Sequence, residues 1–122
     1  MVMEATYIDF CKHSARYPIT KEKEYLMIGL MNEAGEVGGA FKKEIRDDVD
    51  NKELIIDEMG DVLWYLTNLC TLYGITLSDL MHKNVSKLVG RMTEEQARNY
   101  RISQGTELPN NISRRAVDVQ GK

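Results

Sequence analysis

Four carboxylates occur in two short motifs with the same spacing. Glu33 and Glu36 are three residues apart, and so are Glu58 and Asp61. In a helix each residue advances the chain by about 100°, so residues three apart are neighbours on one face. Oxygen ligands paired on two helices suit one or two hard divalent cations, Mg²⁺ first and Mn²⁺ as its substitute. The motifs therefore predict a metal site built from all four carboxylates.

The same carboxylates fall on or beside apolar helix faces. Glu33 shares its side with Leu26 and Val37, and Glu58 shares its side with Val62. Burying unpaired ionised groups costs several kcal/mol each, so a positive partner is expected among them. Either motif alone is common on solvated helix surfaces. Two copies on apolar faces favour a functional site.

Cationic and amide side chains recur further along the chain. Asn84, Lys87 and Arg91 share a predicted helix side with Leu80 and Leu88, and we expect them to point inward. By themselves, Lys87 and Arg91 are also what a helix C-terminus favours. Beside an acidic metal site, however, such cations suit a polyphosphate, whose charge exceeds what one or two Mg²⁺ neutralise. The combination indicates phosphoryl-type chemistry.

The elements that must position these residues are helical. Apolar residues recur at helical spacing, without sustained strand-like alternation, in residues 3–15, 22–46, 52–73 and 78–91. Gly74 is expected to end the third helix and Ser78 to cap the fourth. We predict an all-α, four-helix bundle-like domain over residues 1–92. Residues 93–122 are predicted to be a C-terminal tail or arm with at most a brief helical turn.

Composition excludes several classes of protein. The 122 residues are 43% hydrophobic, enough for one core, and the net charge of −3 lacks the basic excess of a nucleic-acid binder. No apolar run is long enough for a membrane span or a signal peptide. Cys11 and Cys70 stand alone, so neither a disulfide framework nor a thiolate metal site is indicated. We expect a cytoplasmic protein that binds neither nucleic acid nor membrane.

The third predicted helix is apolar almost all round, from Leu54 to Tyr73. A small domain cannot cover every side of such a helix with its own residues. We therefore expect a homo-oligomer, either a dimer or a tetramer.

The motifs and their order resemble those of the MazG-like nucleoside triphosphate pyrophosphohydrolases. The resemblance includes residues 15–18 and 28–37 and the motifs Glu33-x-x-Glu36, Glu58-x-x-Asp61 and Asn84-x-x-Lys87-x-x-x-Arg91. It implies an oligomeric helical bundle that hydrolyses an NTP or dNTP to the monophosphate and pyrophosphate with Mg²⁺. Two alternatives remain: a related hydrolase of a nucleoside diphosphate or phosphoribosyl nucleotide, and a non-catalytic helical interaction module.

Each polar residue has an expected role in that reaction. The four carboxylates hold Mg²⁺, and Glu36 or else Glu33 accepts the proton of the attacking water. Lys87 and Arg91 offset charge on the β and γ phosphates and on the leaving pyrophosphate. Asn84 positions an oxygen of the substrate or a water.

Three residues of the third helix are candidates for the border of a base pocket. Trp64, Tyr65 and Asn68 follow Asp61 along the same region of the helix. A core or interface role is the favoured interpretation for the two aromatic residues. The preference for base and sugar stays open.

Glycines inside the predicted helices also need an explanation. Gly35, Gly38, Gly39 and Gly60 each cost about 1 kcal/mol relative to Ala. We expect them at close helix contacts or where a ligand needs room, and close packing is the favoured cause.

Overall fold

The computed structural model describes residues 2–104, with backbone alone for residues 103 and 104. Within that range the chain forms helices and no strand, so the predicted all-α class is confirmed. The helices are α1 (Glu4–Ser14), α2 (Glu22–Asp47), α3 (Lys52–Leu72), α4 (Leu77–Val89) and α5 (Glu94–Gln104), and a 3-10 turn (Ile19–Lys21) precedes α2. None of these helices has the length and apolar character needed to cross a membrane.

The chain divides into two compact units. The first, Met1–Leu77, contains α1, α2 and α3, and the second, Ser78–Lys122, contains nearly all of α4 and all of α5. The boundary predicted after residue 92 stays a prediction. The rest of the predicted tail, residues 105–122, lies outside the described residues.

The hairpin of α2 and α3 is the centre of the first unit. Its connection is turned by Asp48, which has a left-handed backbone with φ of 51°. The Asn51 side chain donates to the Ala40 carbonyl at 3.0 Å, and its backbone N–H donates to Glu44 Oε1 at 3.2 Å. The bond to Glu44 pairs the N–H of the residue that precedes α3, and the bond to Ala40 ties the start of α3 to the body of α2. Leu26 and Ala40 are buried on the α2 side of this hairpin.

Helix α1 is fixed to α3 by polar contacts as well as by burial. Trp64 Nε1 donates to Ser14 Oγ at 2.9 Å, and Asn68 Nδ2 donates to the Cys11 carbonyl at 3.3 Å. Cys11 is fully buried. Among the described residues, no buried side-chain nitrogen or oxygen lacks a partner. The polar side chains buried at this contact are therefore hydrogen-bonded, which offsets the cost of removing them from water.

Helix α3 ends at a glycine, as the sequence predicts. Gly74 has a φ of +72°, its N–H donates to the Thr71 carbonyl at 3.1 Å, and the next N–H, of Ile75, donates to the Cys70 carbonyl at 2.9 Å. This pair of bonds is a Schellman motif. Helix α4 begins at Leu77, so Ser78 lies in its first turn and not at the predicted cap.

The second unit contains a helix that is longer than the sequence predicts. Helix α5 runs to Gln104 and begins with a reciprocal capping box between Thr93 and Gln96, at 2.9 and 3.1 Å. Two backbone N–H donors that the helix itself cannot satisfy are paired in this way. Val89 on α4 and Ala97 on α5 are buried. The predicted brief helical turn is therefore a full helix.

Candidate metal site

Three of the four predicted metal ligands come together across the α2–α3 hairpin. Glu33 lies on α2, and Glu58 and Asp61 lie one turn apart on α3; one carboxylate oxygen from each lies within 4.8 Å of the other two. Glu33 and Glu58 are half-buried and Asp61 is exposed. Glu36 is exposed and is not part of this close group.

The close group is electrostatically unfavourable by itself. Burial raises the pKa of Glu33, and the charges of Asp61, Glu58 and Glu36 and a hydrogen bond with Glu58 raise it further. Within residues 2–104, none of these four carboxylates forms an ion pair with a lysine or arginine. A group of clustered carboxylate oxygens is the donor set that a hard divalent cation prefers. The residues present therefore fit a divalent metal ion.

Glu33→Gln is expected to stabilise the metal-free protein at neutral pH. Because the folded state raises the pKa of Glu33, this residue favours folding fully below its ordinary carboxyl pKa, and the contribution is lost as pH rises through the raised value. In EDTA, as the pH rises through the raised pKa of Glu33, the Tm of the native protein should become about 2–5 °C lower than the Tm of the variant.

The matched control for this prediction is Glu36→Gln on the same helix. Glu36 is exposed, so its replacement should change the metal-free Tm much less. Added Mg²⁺ should stabilise the native protein and not Glu33→Gln, because only the former keeps the full donor set. A metal-free Tm difference that does not depend on pH would contradict the electrostatic explanation.

Tyr65 connects the carboxylates to the packing of the hairpin. Its ring lies against the backbone of Gly29, so a Cβ at Gly29 would overlap the ring atoms Cδ1, Cε1 and Cζ. Burial raises the pKa of Tyr65 to about 12, with a further contribution from a hydrogen bond with Tyr25. The charges of Glu33 and Asp61 add to that rise in pKa, so the phenol is within their electrostatic reach.

The structure places the three candidate base-pocket residues in helix contacts. Trp64 binds Ser14 through its indole N–H and packs edge-on against Tyr65, with ring centroids 4.9 Å apart. Asn68 is 4% exposed, and its amide is engaged with the Cys11 carbonyl. The favoured interpretation of the aromatic residues as packing residues agrees with these contacts. Contact with a base stays a prediction.

One residue near the site has no sequence motif. The pKa of the Tyr7 phenol is raised to about 12, mainly by burial. A hydrogen bond with Cys11 contributes next, and the charge of Asp61 makes the smallest contribution. Tyr7 on α1 is therefore close enough to Asp61 to feel its charge. No sequence pattern distinguishes Tyr7 from the other polar residues of α1, because only tertiary contact brings it near α3.

The predicted phosphate-binding residues lie in the second unit. Asn84 and Lys87 are exposed on α4, and Arg91 is exposed just beyond its end, with its N–H bonded to the Leu88 carbonyl at 2.9 Å. Leu88, on the same side of α4, is 47% exposed. The prediction that these residues point into a buried helical interior is therefore wrong for this chain.

Two neighbours of Lys87 were given no role from the sequence. His82 and Lys83, together with Ser86, line the same surface groove as Lys87. His82 lies one helical turn before Ser86, and Lys83 lies one helical turn before Lys87. These four residues therefore lie on one face of α4.

The glycines inside α2 and α3 differ from expectation. No described atom other than local backbone lies within 4 Å of the Cβ position at Gly35, Gly38, Gly39 or Gly60. Close packing within the chain is therefore the wrong explanation for these four residues. It is the correct one for Gly29, which is buried against Tyr65.

Comparison with known proteins identifies the family of this chain. The MazG nucleotide pyrophosphohydrolase domain matches residues 21–94, which contain α2, α3 and α4. The Gene 37 protein of Mycobacterium phage L5 is 35% identical over 72 residues, 55% of this chain and 63% of the phage protein. The Uncharacterized protein YvdC of Bacillus subtilis (strain 168) is 37% identical over 83 residues, 59% of this chain and 78% of YvdC.

The chain thus spans less than two thirds of the length of the phage protein. No solved structure gives a significant match. The domain match, which includes both acidic motifs and covers more than half of the sequence, shows that the chain belongs to the MazG nucleotide pyrophosphohydrolase family.

Proposed function

We propose that this protein hydrolyses a nucleoside triphosphate, NTP or dNTP, to the nucleoside monophosphate and pyrophosphate in a Mg²⁺-dependent reaction. The observation that supports it most is the group formed by Glu33, Glu58 and Asp61, with oxygens within 4.8 Å of one another. Family membership supports the same class of reaction. Two buried, free cysteines agree with our further proposal that the reaction occurs in the reducing cytoplasm.

The carboxylates divide into two roles in this proposal. Glu33, Glu58 and Asp61 would hold one or two Mg²⁺, or Mn²⁺ in its place, with Glu36 as a further ligand at the exposed edge. Bound Mg²⁺ supplies Lewis-acid polarisation of phosphate oxygens. Glu36 is the preferred acceptor for the proton of the attacking water, because it is exposed and outside the close group; Glu33 is the alternative.

The phosphates would be bound by residues that follow in sequence. Lys87 and Arg91 offset the charge of the β and γ phosphates, and Asn84 orients one oxygen. Tyr65 is the strongest candidate for contact with the nucleoside, because its phenol lies within the electrostatic reach of Glu33. Trp64 and Asn68 would support this border through their bonds to α1.

Lys87→Ala and Arg91→Ala are each expected to lower kcat/KM by about 10- to 100-fold, equivalent to about 1.4–2.7 kcal/mol of transition-state stabilisation. The reason is loss of a cation that balances charge developing on the leaving group. Steady-state pyrophosphate release measures the effect. Lys83→Ala, on the same groove, is the control and should change kcat/KM less than about threefold. An equal loss in Lys83→Ala would argue against a specific role for Lys87.

We also propose that the protein is a homo-oligomer, a dimer or a tetramer, joined through an apolar face of the hairpin. On α2, Met31, Phe41 and Ile45 are 66%, 52% and 70% exposed; on α3, Ile56 and Met59 are 49% and 56% exposed. The α2 residues recur at spacings of three and four with Ala34 and Gly38 between them, the pattern of a helix that packs along another helix.

A second copy suits this face because the face is apolar. Between the helices, a groove is lined by Ala34, Val37, Met59, Gly60 and Leu63, none of which is charged. Contiguous exposed apolar surface of this kind marks an interaction site. An isologous contact between two copies would cover the same residues on both.

Phe41→Glu is expected to convert the oligomer to monomer, because each interface would bury the new carboxylate without a partner. Analytical ultracentrifugation measures the change. Ile19→Glu is the matched control, since Ile19 is 82% exposed but lies in the 3-10 turn before α2. A native protein that is already monomeric at micromolar concentration would exclude this interface.

The experiment that tests the reaction is pyrophosphate release from ordinary and modified NTPs and dNTPs, with Mg²⁺ and with EDTA. We expect release from at least one triphosphate with Mg²⁺ and none with EDTA. Product analysis separates the alternatives. A hydrolase specific for a nucleoside diphosphate or a phosphoribosyl nucleotide would not release a monophosphate and pyrophosphate from the nucleoside triphosphates of this panel. If no triphosphate of the panel released pyrophosphate and Mg²⁺ did not raise the Tm, the results would support the non-catalytic interaction module.

A further inference from the structure

One tight contact lies a single helical turn from each half of the candidate metal site. Gly29 precedes Glu33 by four residues on α2, and Tyr65 follows Asp61 by four residues on α3. The Tyr65 ring lies where a Cβ of residue 29 would be, in contact with the backbone of α2. The separation of the helices at this level is therefore set by the thickness of one aromatic ring.

The ring has little freedom to move away from Gly29. Trp64 packs edge-on against it, with centroids 4.9 Å apart and planes at 78°. Tyr25 approaches from α2, with ring centroids 6.2 Å apart. Tyr65 is half-buried, and a ring that is contacted on several sides by Gly29, Trp64 and Tyr25 has few rotamers with which to follow a change of backbone position.

The metal site is sensitive to this separation because its ligands are divided between the helices. Glu33 comes from α2, whereas Glu58 and Asp61 come from α3. Mg²⁺ requires near-octahedral oxygen ligands at about 2.0–2.1 Å, whereas Ca²⁺ accepts irregular sets at about 2.3–2.6 Å. An outward shift of α2 would therefore impair Mg²⁺ binding more than Ca²⁺ binding.

We propose that the Gly29–Tyr65 contact is a positioning element that holds the carboxylates of α2 and α3 at the separation that favours Mg²⁺ over a larger cation. This inference rests on the proposed function, in which those carboxylates bind Mg²⁺. Gly29 and Tyr65 act through the helices and need not touch the ion. The required pair is a residue without a side chain facing an aromatic ring.

Calorimetric titration of Gly29→Ala with Mg²⁺ and with Ca²⁺, in the absence of nucleotide, tests the proposal. We expect Mg²⁺ affinity to fall at least about tenfold and Ca²⁺ affinity to fall less than about threefold. Gly39→Ala is the matched control on α2, since no described neighbour lies within 4 Å of its Cβ position, and it should keep both affinities. Equal Mg²⁺-to-Ca²⁺ ratios in the native protein, Gly29→Ala and Gly39→Ala would overturn the inference.

Tyr65 variants decide the question if Gly29→Ala fails to fold. Tyr65→Leu keeps Gly29 but removes the ring, so the Mg²⁺-to-Ca²⁺ affinity ratio should fall. Tyr65→Phe keeps the ring and should retain a ratio near the native one. A Phe variant as impaired as the Leu variant would show that the hydroxyl, and not the ring, is responsible, and the positioning role would be wrong.

Pyrophosphate release by the native protein separates this inference from the proposed function. Metal-dependent release together with an unchanged Mg²⁺-to-Ca²⁺ ratio in Gly29→Ala would leave the function standing and overturn the positioning role. A reduced ratio in a protein that releases no pyrophosphate would support the positioning role and contradict the proposed reaction. A native protein that binds neither cation would overturn both.

Discussion

Glu58→Gln is expected to lower kcat/KM for pyrophosphate release at least about 100-fold and to remove the Mg²⁺-linked gain in Tm. The substitution keeps the shape of the side chain but removes one negative charge from a group whose oxygens lie within 4.8 Å of one another. A loss of this size corresponds to about 2.7 kcal/mol or more of transition-state stabilisation. That is a modest part of what a metal ion contributes to phosphate chemistry.

The measurement needs a control that removes a charge from the same helix. Asp57→Asn serves, because Asp57 is the exposed neighbour of Glu58 and is not in the close group. It should retain kcat/KM within about threefold. Asp61→Asn should behave like Glu58→Gln. If Asp61→Asn or Glu58→Gln kept both full activity and metal dependence, the carboxylate group would not be the metal site of the reaction.

Leu26→Ala is expected to lower the free energy of unfolding by about 2–5 kcal/mol and Tm by about 10 °C or more. Leu26 is fully buried and lies two turns before Glu33 on α2. Its truncation leaves a cavity on the side of α2 that faces the core, where the loss of packing adds to the loss of buried apolar area. Denaturant unfolding at fixed protein concentration measures the loss.

Ile28→Ala is the control for Leu26→Ala. Ile28 is two residues away on the same helix and 63% exposed, so its replacement should cost less than about 1 kcal/mol. Similar losses in the two variants would mean that α2 is not anchored by Leu26. Because α2 carries Glu33, Leu26→Ala should also weaken Mg²⁺ binding at temperatures near its lowered Tm.

The helices and their approximate ends were predictable because their signals are local. Apolar periodicity places α1 to α4, and Gly74 ends α3 because a non-glycine residue would be strained at a φ of +72°. The capping box of Thr93 and Gln96 was also present in the sequence. The apolar pattern that follows it is weak, so periodicity alone does not predict α5 beyond a brief helical turn.

The two acidic motifs could be recognised from spacing alone, but spacing treated all four carboxylates as equivalent. The hairpin brings Glu33, Glu58 and Asp61 together and leaves Glu36 exposed outside the group. The direction in which α2 presents each residue to α3 decides this difference. That direction depends on how the two helices rotate and cross when they pack.

For the glycines too, the sequence indicates less than the packing of the helices decides. Sequence alone indicated that Gly35, Gly38, Gly39 and Gly60 need a reason to lie inside helices. It gave no ground for choosing Gly29, the glycine that contacts an aromatic ring of the neighbouring helix.

The sequence by itself therefore determined the helical class, the acidic motifs and the family resemblance, because each depends on residues close together along the chain. Only the tertiary structure decided which carboxylates meet, that the phenols of Tyr7 and Tyr65 lie within reach of Asp61, and that Asn84, Lys87 and Arg91 are exposed. These features depend on contacts between helices, whose rotation and separation no single segment encodes.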